Sequence, residues 1–110
     1  MTLGYFTKQN SETFFISVDF TNVLETDETI TVGSSTVVAE DINGDNATVD
    51  VLAAGSIAVG DAADGTTDGV LKIKVKAGTE ALSPYKITFT AVTSLNNTWE
   101  KDIEMCVVEL

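Results

Sequence analysis

Apolar and polar residues alternate along much of the chain. In TFFISVDF (13–20), Phe14, Ile16, Val18 and Phe20 share one side, against Phe15, Ser17 and Asp19. VLKIKVKA (70–77) sets Leu71, Ile73, Val75 and Ala77 against Lys72, Lys74 and Lys76. YKITFTAVT (85–93) directs Tyr85, Ile87, Phe89 and Ala91 one way. KDIEMCVVE (101–109) separates Ile103, Met105 and Val107 from Asp102, Glu104 and Cys106. Successive side chains of a strand point to opposite faces, so this period of two predicts strands with one buried face. Shorter pieces of the same character are TITV (29–32), STVVAE (35–40), ATVDVL (47–52) and SIAV (56–59).

Turn chemistry falls between these runs, at NGDN (43–46), AAG (53–55), GDAADGTTDG (60–69), AGTEALSP (77–84) and LNN (95–97). The polar stretch 60–69 is the expected flexible loop. No window has a period near 3.6, and the alanine-rich run 53–63 is interrupted by Gly55 and Gly60. About seven short strands at this spacing predict an all-β, immunoglobulin-like antiparallel β-sandwich, with residues 1–110 as one domain. Tyr85 opens the penultimate strong strand. It is either a tyrosine corner, its hydroxyl bonded to nearby backbone, or an ordinary inward aromatic.

Composition changes this picture in two ways. A chain of 110 residues, 44% hydrophobic, can close a core without staples, so it is not a disordered acidic tail. The net charge of −11 is unevenly placed: residues 1–68 carry twelve acids and one lysine, Lys8, whereas residues 69–110 carry five of each sign. A field of that sign argues against nucleic acid and against anionic membrane surfaces as partners. It also keeps a β-protein soluble and hinders edge-to-edge pairing. Cys106 is the sole cysteine, so no internal disulfide forms. The first ten residues lack the basic and apolar regions of a signal peptide, and NAT (46–48) and NNT (96–98) are then chance matches to the glycosylation pattern.

The one stretch that suggests a metal is DINGDNATVD (41–50). Asp41, Asn43 and Asp45 occupy positions 1, 3 and 5 of a calcium loop. Position 6 is Asn46 where the sharp turn needs glycine, and position 12 is Leu52 where the ion needs a bidentate glutamate. An Asx-rich turn, with Asn43-Gly44 as the hairpin between STVVAE and ATVDVL, is the simpler reading. Asp61, Asp64 and Asp68 supply further carboxylates, read as a solvated loop. The expectation is no metal and no cofactor.

Catalytic residue types are scarce. Histidine and arginine are absent. Cys106 follows Glu104 with no basic neighbour to favour the nucleophilic thiolate. No glycine-rich phosphate loop follows a strand. The expectation is that the chain is not an enzyme and has no catalytic residue.

KQNSETFFISVDFTNVLETDETI (8–30) resembles the N-terminal part of a family of small bacteriophage and prophage virion proteins. The shared pattern is Lys8, Glu12, an alternating strand ending in Asp19-Phe20, then Leu24, Asp27 or Glu28, Thr29 and Ile30. YKITFTAVTSLNNTWEKDIEMCV (85–107) resembles the family's tyrosine-containing strand, Thr-Ser turn and charged last strand. Residues 40–70 have no counterpart. Asn10-Ser11 stands where the family commonly has proline, and LNN where it tends to have glycine-arginine. The resemblance implies an immunoglobulin-like component of the tail–fibre adaptor or neck region, located in the bacterial host cytoplasm or in an assembled particle. Its partners would be other virion proteins, or a second copy, with no nucleic acid and no membrane.

A different expectation is an immunoglobulin-like module that binds carbohydrate or a cell surface, with or without the help of calcium. It would use outward aromatics, for which Tyr5, Phe6, Phe15 and Trp99 are the candidates. The Lys72, Lys74 and Lys76 stripe either solubilises a strand face or steers an acidic partner.

Overall fold

The computed structural model describes the backbone of residues 2–109 and the side chains of residues 4–109. It contains seven strands in chain order: β1 (Thr2–Gln9), β2 (Phe14–Asp19), β3 (Thr36–Glu40), β4 (Ala58–Gly60), β5 (Val70–Val75), β6 (Tyr85–Val92) and β7 (Thr98–Val108). They form two sheets, β1-β7-β6-β3 and β2-β5-β4. Every pair is antiparallel except β1 and β7, which run parallel. The all-β sandwich is as expected; the parallel first strand amends the purely antiparallel one.

The period of two places the core. Val18, Phe20, Leu71, Val75, Tyr85, Ile87, Phe89, Ala91, Met105 and Val107 are each at most 2% exposed and form one apolar layer between the sheets. Each came from the predicted inward set. Ala77 departs from it: β5 stops at Val75, and Ala77 is exposed with φ of +47°.

Three segments differ from the alternation. ATVDVL does not form a strand: Thr48–Val51 is a single helical turn, α1. Asn46 Oδ1 accepts the Thr48 N–H at 3.0 Å and starts the turn, and Ala47 and Val51, four apart, are buried together. Val49, inward in a strand, is instead 80% exposed. In TITV, Ile30 makes one isolated bridge to Thr93, and a 3₁₀ turn follows at Val32–Ser34. The Ser35 hydroxyl donates to the Thr31 carbonyl at 2.8 Å, drawing the backbone out of line. Finally, β1 itself was not foreseen. Gly4 and the adjacent Tyr5 and Phe6 obscure its alternation, and its register with β7 shifts between Thr2 and Tyr5.

β1 and β2 adjoin in sequence but lie in different sheets. Both direct apolar side chains, Phe6 and Phe14, at the same core from opposite sides, so the chain must cross between layers instead of closing a hairpin. Phe6 and Phe14 meet edge to face at 5.9 Å. The crossing turn is held by Glu12, whose Oε1 accepts the Gln9 N–H at 2.7 Å.

Candidate functional site

The connections 20–35, 60–69 and 93–97 gather at one end. Ile30 N–H donates to Asp68 O at 3.0 Å, Phe20 N–H to Gly69 O at 2.9 Å and Ser94 N–H to Thr29 O at 2.8 Å. At the centre is Glu28, 1% exposed. Its carboxylate accepts from the Thr93 hydroxyl, from Asn97 Nδ2 at 3.0 Å and from the Glu25 N–H at 2.8 Å. These donors, the Thr93 hydroxyl foremost, hold its pKa below the ordinary carboxylate value. The carboxylate is therefore engaged in joining two loops. Nothing in the sequence marked it as buried, because it lies outside any alternating run.

The acidic loops use their carboxylates in the same way. Asp41 Oδ1 accepts the N–H groups of Asn43 at 2.9 Å and Asp45 at 3.1 Å, and Gly44 takes φ of +83° to complete the turn. That is the Asx turn expected at 41–46, although it leads into α1 and not into a strand. In 61–68, Asp64 Oδ1 accepts the Thr66 N–H at 2.9 Å and Asp61 Oδ1 the Asp68 N–H at 3.1 Å. Thr66, through its side chain first and its N–H second, lowers the Asp64 pKa. This loop, expected to be flexible, carries its own internal bonds and buries Ala62. Among the described residues, no group of three or more His, Cys, Asp or Glu side chains is placed to hold a metal ion. None of the described helices is long and apolar enough to cross a membrane.

The lysines behave unlike a uniform solvated stripe. Lys72, Lys74 and Lys76 are each half-buried. The Lys72 stem lies over Gly60, where a Cβ would come within 2.7 Å of Cε. Lys74 Nζ sits 5.2 Å from the centre of the Phe15 ring. Lys8 is more extreme. It points inward from β1, is 1% exposed, and donates to Gln9 O at 2.7 Å, Asn10 O at 3.4 Å and Ala77 O at 2.5 Å. Burial lowers its pKa, against the opposing pull of Glu12. Its two-residue spacing from Phe6 was the available signal, had β1 been recognised.

The outward aromatics separate into two groups. Tyr5 is 75% and Phe15 52% exposed, whereas Phe6, expected to face outward, turns inward against Phe14 and the core. Trp99, at the far end of β7, sits on the rim at 37% exposure. Tyr5, Phe6, Phe14, Phe15, Ile16 and Ile103 line an open cleft of about 530 Å³ between β1 and β2, each at the edge of its own sheet. A second apolar groove of about 390 Å³ lies between β3 and the α1 region, with exposed Val38 and Val49 and with Lys76 at its wall. Cys106 lies opposite Thr7 as a free, half-buried thiol. In comparisons with known proteins, the chain matches no family model and no curated protein.

Proposed function

We propose that this chain is a non-catalytic structural or adaptor protein of a phage- or prophage-type particle, acting through protein–protein contacts. The observation that carries the reading is the aromatic cleft between the edge strands β1 and β2, where Tyr5 and Phe15 are largely exposed. Such a surface, apolar and flanked by strand edges, suits another polypeptide better than a small polar substrate. The carboxylates nearest to a chemical site in residue type are occupied elsewhere: Glu28 ties loops together, and Asp41, Asp61 and Asp64 cap turns.

The positions that carry the phage-family resemblance have structural tasks. Glu12 and Asp19 accept backbone N–H groups from Gln9 and Thr21. Lys8, Phe20, Glu28 and Ile30 are buried. This supports a pattern that builds a fold and leaves function to the surface. An immunoglobulin-like assignment is supported by seven strands in sheets of four and three, and by the Tyr85 hydroxyl accepting the Thr79 N–H at 3.0 Å, as in a tyrosine corner.

Co-expression of the chain with the genes that neighbour its own tests the reading. The expected result is co-purification with a particle component, or incorporation into particles. A chain that joins no partner and no particle, and is retained on a glycan array, overturns it in favour of carbohydrate or cell-surface binding.

A further inference from the structure

β2 is the least protected edge in the molecule. β1 has a register irregularity after Thr2 and an inward charge, Lys8, both of which discourage pairing with another strand. β4 is three residues long and β3 five. β2 offers six residues in unbroken register with β5, with no proline, no bulge and no inward charge.

Its backbone polarity follows from the ladder. Phe20 N–H donates to Gly69 O at 2.9 Å, in continuation of the Phe14↔Val75 to Asp19↔Val70 register. In an antiparallel pair, bonding residues alternate with non-bonding ones. Phe14, Ile16, Val18 and Phe20 therefore bond to β5, and Phe15, Ser17 and Asp19 direct N–H and C=O to the open side. Asp19 agrees: its carbonyl accepts Lys101 Nζ, which comes from the other sheet, at 3.0 Å. The groups left for a newcomer are those of Phe15 and Ser17.

The two faces of this edge differ. Inward lies the cleft with Phe6, Phe14, Ile16 and Ile103. Outward, Lys74 leans over the Phe15 ring, whereas Lys72, opposite Ser17 in register, lays its stem over Gly60 of β4 and away from this edge. Among the described residues, Lys74 has no carboxylate within ion-pair distance. We propose that the free edge of β2 receives an extended strand of a partner protein, in which apolar side chains alternate with acidic ones. The apolar set fills the cleft, the acidic set faces Lys74, and the backbone bonds to Phe15 and Ser17. The three-stranded sheet thereby becomes four-stranded, matching the sheet it faces. A second copy fits less well, since two chains of charge −11 repel and would set Lys74 of each beside the other's edge.

This inference rests on the docking reading above, and the test separates the two. The probe is a capped seven-residue peptide of alternating Val and Glu, titrated into isotope-labelled protein, with an alternating Val and Lys peptide as its counterpart. The expected result is saturable shifts and slowed exchange at the Phe15 and Ser17 amides, with the Lys peptide about tenfold weaker or more. Ser17→Pro removes an N–H that the β2–β5 ladder does not use, and should abolish binding while leaving the β6 and β7 amides unchanged. Lys74→Glu should reverse the peptide preference, and it decides the matter should Ser17→Pro fail to fold. Shifts at another edge, no charge preference, an unaffected Ser17→Pro, or a β2-mediated dimer without peptide each overturn the inference. If wild type and Ser17→Pro co-purify equally with a particle component, the edge assignment fails while the adaptor reading stands. If neither does, the adaptor reading fails and the peptide titration still judges the edge.

Discussion

The Tyr85 hydroxyl accepts a hydrogen bond from the Thr79 N–H at 3.0 Å, across the turn that leads into β6. The ring is 2% exposed, so one side chain both fills the core and fixes the approach of the 76–84 connection. Tyr85→Phe keeps the ring and loses the bond, and should cost about 0.5–1.5 kcal/mol. Tyr85→Ala also empties the core and should cost about 3–5 kcal/mol. Urea unfolding of the three proteins checks the pair; a Tyr85→Phe variant as stable as wild type would mean the hydroxyl contributes nothing, and equal losses in the two variants would mean the buried ring contributes nothing.

Gly78 belongs to the same connection. Its φ is +90°, and a Cβ there would lie 2.9 Å from Val107 Cγ2. Gly78→Ala should destabilise by about 1–3 kcal/mol, from backbone strain and the clash together. Gly33→Ala, where φ is ordinary and nothing lies within 4 Å, should stay within about 0.5 kcal/mol. Thermal unfolding of both variants distinguishes them.

Glu28 should make the loop-rich end acid-sensitive. Its folded pKa lies below its ordinary value of 4.5 because the Thr93 hydroxyl, the Glu25 N–H and Asn97 bind the charged form. Its contribution is fully present above 4.5 and is lost as pH falls through the folded value, since the unfolded chain binds the proton first. Glu28→Gln should flatten the acid limb of a stability–pH profile. A carboxyl NMR titration should show Glu28 taking up its proton below the ordinary value of 4.5 as acid is added.

Lys8 should act in the opposite pH range. Burial holds its folded pKa below the ordinary 10.5, so between those two values the unfolded chain binds more protons than the folded one. Stability then rises with pH across that interval. Relative to Lys8→Met, which cannot titrate, the wild type should gain stability from neutral pH towards 10.5. Chemical denaturation of both proteins at several alkaline pH values measures this difference, and parallel curves would refute it.

The alternation in 13–20, 70–77, 85–93 and 101–109 determined which side chains enter the core, because period two leaves a strand only one apolar face. It also located the Asx turn at Asp41, whose carboxylate bonds two and four residues ahead. These are local consequences of residue type and spacing. Tertiary structure decided what depends on long-range partners. ATVDVL suits either a strand or a turn of helix; α1 formed because it packs Ala47 and Val51 inward and leaves Val49 to solvent. β1 has weak alternation and became a strand by parallel pairing with β7, nearly a hundred residues later in the chain. Lys8 and Glu28 look like surface charges in sequence. They are buried because Ala77 O, Thr93 and Asn97, each 65 or more residues away, supply the hydrogen bonds that replace water. The open β2 edge arises in the same manner: the sequence predicts the strand, but only the assembled sheets leave β2 with a strand on one side alone, β5.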